Sequence, residues 1–171
     1  MEALQSPITL QAAKLASISA SLLASGIFFS SSNLVIPLLS KLDHQRVTPG
    51  AFADFYHAGL RVVVPLTIVG SASSAVVAFL SKDKTERLVW STAAVATFAV
   101  LPWTRLGMWQ TINTLLKIAD ETGSGAGVVS EKEKKVVVQG LLTRWKTMNY
   151  ARSAFTLVGG LIAGWKVVSG I

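Results

Sequence analysis

"RWKTMNYARSAFTLVGGLIAGW", residues 144–165, decides the fold. Its first half is amphipathic, with Trp145, Asn149 and Arg152 spaced by four and three. On a helix that spacing puts all three on one face, together with Leu142 and Phe155. Its second half has no charge and contains Gly160 and Gly164 as a GxxxG pair, the spacing that lets another helix approach closely. The stretch therefore starts like a helix in water and ends like one in lipid, with an indole, an amide and a permanent cation at the passage. One account is an interface anchor, with Trp at headgroup level and Arg reaching to phosphate. The other is a site. An arginine in hydrocarbon costs about 2.5–3.5 kcal/mol on insertion scales, so it usually pairs or serves a function. Asn149 gains nothing from lipid, which favours protein or a pocket on this face.

Working outward, four apolar segments stand out: residues 15–39, 62–81, 88–103 and 153–170. The second is uncharged, and at 1.5 Å per residue it is about 30 Å long, one bilayer core. The first is long for a cleaved leader and carries Lys14 just ahead of its start, so it reads as a retained helix. Half the residues are hydrophobic (51%) and the mean hydropathy is +0.51, greasier than ordinary soluble domains. In lipid such segments satisfy their backbone only as helices. The expectation is an all-α integral membrane four-helix bundle, one transmembrane domain over residues 1–171, with the lipid bilayer as its surroundings. The long link between the third and fourth spans should hold an extra helix over 104–121, a flexible "GSGAG", then a capping box of Ser130 and Glu133. Thr48 with Pro49 should cap a helix that runs straight into the second span, kinked at Pro65.

Composition also excludes. The 171 residues contain no cysteine, which removes disulfides, thiolate metal sites and cysteine nucleophiles. The two histidines, His44 and His57, cannot make a three-histidine site within one chain. The net charge of +7 fits basic loops near anionic headgroups. No basic stripe interleaves with aromatics, so nucleic acid is not expected as a partner. The long links are the more basic, and the positive-inside rule would put them in the cytosol.

Two more polar stripes need an explanation. Asp54, His57 and Arg61 stand at i, i+3 and i+7 just before the second span. They form either a surface ion-pair ladder or a histidine oriented by a carboxylate and opposed by a cation, suited to general-base work. In "PWTRLGMWQTINTLL", Trp109 and Asn113 are four apart, with Leu106 and Leu116. That amide either ties two helices together or joins the site. Three helices thus present polar groups at one end of the bundle. A mouth lined by Trp, His, Asn and Arg suits a planar ligand with oxygen substituents.

"WTRLGMWQTINTLL", followed by "LLTRWKTMNYARSAFTLVGGLIA", resembles the anthrone oxygenases, small fungal membrane proteins that tailor aromatic polyketides. The family pattern matches Thr111, Asn113, Leu115, Trp145, Asn149 and Arg152, and "FADFYHAG" at 52–59 matches its aromatic stretch before the second span. Where many members read Pro-Thr-Asn, this chain reads Thr111-Ile112-Asn113.

The resemblance implies oxidation of an anthrone to an anthraquinone with O2. A base removes a proton opposite the ketone, and the electron-rich anthrolate gives an electron directly to oxygen. Loss of water from the peroxide leaves the quinone. No cofactor or metal is then needed. In that reading His57 is the base and Asp54 orients it. Arg152, Asn149 and Asn113 hold the oxyanion, Trp145 and Trp109 stack on the polycycle, and Arg61 completes the binding set. Two alternatives stand beside it. One is a haem in the bundle with His57 as axial ligand. The other is a non-enzymatic membrane scaffold or transport protein. Gly160 and Gly164 would serve a homo-oligomer under any of these, in an intracellular membrane such as the endoplasmic reticulum.

Overall fold

A computed structural model describes residues 6–41, 47–123 and 131–169. The "GSGAG" stretch beyond its first glycine, Ser130 of the capping box, and His44 lie outside them. Within them the chain is helical almost throughout and has no strand: α1 (Pro7–Ser30), a π-helical turn (Ser31–Val35), α2 (Ile36–Lys41), α3 (Val47–Leu80), α4 (Lys84–Phe98), α5 (Val100–Trp103), a second π-helical turn (Thr104–Met108), α6 (Trp109–Gly123) and α7 (Glu131–Ser169). These stack end to end into four rods. α1 packs on α3 and α7, and α4 packs on α3 and α7, so the rods form an antiparallel square.

The helix ends follow from local chemistry. Ser6 caps α1 by accepting from the Thr9 amide at 3.1 Å, with Pro7 as first helical residue. Asp83 caps α4 by accepting from the Glu86 amide at 2.7 Å, and so turns the chain within "SKD". α3 is continuous for 34 residues, begins one residue ahead of the expected Thr48 cap, and carries Pro65 inside it. The third rod does not stop at "LPWT". It passes through the second π turn into α6, so the expected link helix is a continuation of the span.

The two π turns have identifiable causes. Ser31, Ser32 and Asn33 each hydrogen-bond back to the carbonyl four residues earlier, at 2.6, 3.1 and 2.9 Å. Such bonds compete with the helical ladder, and Pro37, just beyond, has no N–H to contribute to it. In the third rod, Pro102 removes a donor just before the turn and Thr104 bonds back to Val100 at 2.7 Å.

Three layers of core hold the bundle. Near the termini Val77, Ala78, Trp90, Ala93 and Ala163 pack together; midway, Ala24, Phe28, Val63 and Val100; at the far end, Ile36, Leu39, Phe52, Met108, Ile112, Leu115, Leu142 and Trp145. Small residues let the rods approach. Ser17 bonds Ser74, Ser21 bonds Thr97 at 3.1 Å, and Ser25 and Ser153 exchange bonds at 3.0–3.1 Å. Gly160 is used here: a Cβ on it would meet Leu22 Cδ2 at 2.7 Å, whereas one on Gly164 would meet nothing within 4 Å. Gly160 is thus filled from within the chain, by α1, while Gly164 stays open.

Two helices are long and apolar enough to cross a membrane, Pro7–Lys41 and Thr48–Leu80. The other two expected spans do not pass the same measure of length and composition. α4 ends after 15 residues at Ala99, and the apolar run of α7 lies between Arg152 and Lys166. Large apolar side chains nevertheless project outward from all four rods, among them Leu23, Ile68, Phe79, Val95, Leu161 and Trp165. The fold is an all-α membrane bundle, since a belt of that kind is stable against lipid rather than water.

Candidate functional site

Halfway along α7, Arg152 is buried (6% exposed), and one turn earlier Asn149 is fully buried (0%). The first π turn explains how Asn149 is held. Its Nδ2 donates to the Phe28 carbonyl at 2.8 Å and contacts Ser32 Oγ at 3.0 Å. Its Oδ1 accepts from Arg152 Nη1 at 3.1 Å. The guanidinium lies over the Phe28 ring, 4.0 Å from its centroid. Asn149 is thus a bracket between α1 and α7 that aims Arg152. Trp103 braces the same turn of α7 from the other side, donating Nε1–H to the Met148 carbonyl at 3.2 Å and meeting Phe155 edge-on.

Arg152 has no carboxylate partner among the described residues, and its Nε–H is buried without an acceptor. Trp145 is in the same condition: 2% exposed, edge-on to Phe52 and Phe55, with its indole N–H unmet. Buried donors are nearly always paired, so two unmet N–H groups beside one space call for an acceptor. That space is a cleft of about 350 Å³, mouth included, walled by Ile27, Phe28, Phe55, Tyr56, Leu60 and Val63, among others, with Trp145, Asn149 and Arg152. A second cleft of about 530 Å³ adjoins it between α3 and the third rod, reaching Thr104, Arg105 and Trp109. Tyr56, Leu60, Val63 and Arg152 border both.

The predicted residues divide accordingly. Trp145, Asn149 and Arg152 come together. Asn113 is half-buried and borders neither cleft. Trp109 is 42% exposed at the second cleft, under the Arg105 guanidinium at 4.5 Å, whereas Trp145 borders the first. Asp54, His57 and Arg61 are exposed and border neither cleft, and among the described residues neither Asp54 nor Arg61 bonds to the imidazole. The structure therefore does not bring this stripe to either of the two clefts. Three polar residues share a face because that face of α3 points outward, while Phe52, Tyr56 and Val63 point in. His57, the axial ligand in the haem alternative, is exposed and borders neither of these two clefts. The site also lies deeper than the bundle mouth expected from sequence, between the far-end and middle layers.

Sequence reasoning missed Tyr56. It is 9% exposed, stacked on Phe52 at 6.1 Å, and its hydroxyl makes no hydrogen bond among the described residues. The available signal was its register, i+4 from Phe52 and i−7 from Val63.

Fold and site together define a class: an all-α membrane bundle with an apolar cleft, a fixed guanidinium and unmet N–H donors. Comparison with known proteins narrows that class. The sequence model described as anthrone oxygenase matches residues 52–162. An anthrone oxygenase of Claviceps purpurea is 31% identical over 159 residues, covering 86% of this chain and 87% of its own. The anthrone oxygenase nsrD of Aspergillus novofumigatus is 32% identical over 142 residues, 81% of this chain and 82% of its own. The anthrone oxygenase ptaC of Pestalotiopsis fici is 29% identical over 115 residues, 66% and 79%. No solved structure matches. The chain belongs to the anthrone oxygenase family, and with it to the oxygenase enzymes.

Proposed function

We propose that this chain oxidises an anthrone to an anthraquinone with O2, as a step in aromatic polyketide biosynthesis, in the cleft beside Arg152. The observation that carries the reading is the buried guanidinium with an unmet N–H in otherwise apolar walls. An anthrone is a flat, apolar polycycle whose ketone oxygen becomes an oxyanion when the opposite methylene loses a proton. A cation and donors already fixed where that charge develops stabilise it without reorganisation, the largest single contribution in many enzymes. Arg152 Nε–H and the Trp145 N–H are the donors, and Asn149 keeps the guanidinium aimed. The anthrolate gives one electron to O2. The carbon radical and superoxide then combine to form a C–O bond, and the resulting peroxide anion takes up one proton, balancing the one lost from the methylene, to give a hydroperoxide opposite the ketone. O2 is apolar and enters such a cleft readily. His57 has no part in this sequence. The reading includes a membrane placement, supported by the outward apolar belt, and an intracellular membrane such as the endoplasmic reticulum, checked by imaging a fluorescent fusion.

The test is oxygen uptake by the detergent-purified protein with emodin anthrone. The expected result is one quinone formed for each O2 consumed, well above the spontaneous rate. Uptake at the spontaneous rate, with protein shown to be folded, contradicts the proposal.

A further inference from the structure

We propose that the Tyr56 hydroxyl is the proton donor and acceptor that fragments the peroxide into quinone and water; this rests on the anthrone reading above. The other hydroxyls at the two clefts are committed to their own helices: Ser31 donates to the Ile27 carbonyl at 2.6 Å, Thr67 to Val63 at 2.8 Å and Thr104 to Val100 at 2.7 Å. The Asn149 amide is spent on Phe28, Ser32 and Arg152. Arg105 and Arg152 are guanidinium groups, which donate hydrogen bonds but keep their protons. Tyr56 alone borders both clefts with an O–H that has no partner among the described residues. A tyrosine hydroxyl ordinarily finds a partner, and this one is free to take it from a ligand.

The step needs a group of this kind. The hydroperoxide carbon still bears one hydrogen. When that C–H bond breaks, its electron pair becomes the second bond of the new carbonyl. The O–O bond breaks, and its pair goes to the outer oxygen. That oxygen takes the Tyr56 proton and leaves as water, and the Tyr56 oxygen takes the proton released from carbon. Atoms and charge balance, and Tyr56 ends as it began. Arg152, beside it on both clefts, steadies the tyrosinate during the exchange.

Tyr56→Phe keeps the ring that stacks on Phe52 and removes only the oxygen. In a single turnover, oxygen uptake should proceed as in the parent while quinone appearance lags about 10²-fold, the scale of general acid–base removal. A titratable peroxide should accumulate meanwhile. Quinone appearing in step with oxygen uptake, whether at the parental rate or with both slowed equally, overturns the role. Failure of the parent protein itself to consume oxygen with the anthrone would instead refute the function above. Should the variant not fold, the parent protein in D2O serves: quinone formation should slow and oxygen uptake should not. Equal slowing of both, or of neither, counts against Tyr56.

Discussion

Arg152 is buried at mid-bundle with Asn149 Oδ1 as its one hydrogen-bond acceptor among the described residues and Phe28 as its only ring partner. That arrangement is costly for stability alone, because a charge taken from water is compensated only by close partners. It makes sense where an anion arrives during turnover. Arg152→Lys should therefore lower kcat by about 10²–10³, since an ammonium does not reproduce a planar fork aimed by Asn149. Steady-state oxygen uptake checks this, and unchanged turnover would remove Arg152 from the chemistry. His57→Ala, by contrast, should leave the rate within about twofold, as for other exposed substitutions. Trp145, Asn149 and Arg152 were legible in sequence because a helical face with an amide on it has no good use for lipid. The placing of His57 away from both clefts was not legible, because periodicity identifies a shared face without saying whether it points in or out.

At the scale of elements, the two π turns and the small-residue contacts decide where the clefts lie. The first π turn leaves the Phe28 carbonyl and Ser32 within reach of Asn149, and neither feature follows from apolar periodicity. Sequence showed the four rods, because long uncharged runs leave few choices. It did not show that the third span and its link are one rod, because Pro102 and "LPWT" read as a terminator. Gly160 was assigned to a second copy because GxxxG signals close approach but not the partner. Gly160→Val should destabilise the bundle by about 1–3 kcal/mol through overpacking against Leu22, seen as a lower unfolding midpoint in detergent. Gly164→Val, facing open space, should shift it by no more than about 0.5 kcal/mol. Equal effects at both positions would mean that the packing of α7 on α1 is wrong.

For the whole molecule, four antiparallel rods place the beginning of α1 and the end of α7 in one layer, where Leu10 and Ala163 join the same core cluster. Tags at the two ends should therefore be accessible from the same face of sealed membranes; access from opposite faces would break the bundle topology. In the same frame the cleft is walled mostly by apolar side chains, where one fixed cation acts on a bound anion more strongly than it would in water. The most direct measurement is the absorption spectrum of an anthrone bound to the protein under argon, where oxygen cannot consume the anion. The parent protein should convert the bound anthrone to its long-wavelength anthrolate, and Arg152→Gln should bind it as the neutral ketone. A neutral spectrum with the parent protein, or equal anthrolate with Arg152→Gln, would contradict the claim that this guanidinium drives the oxidation.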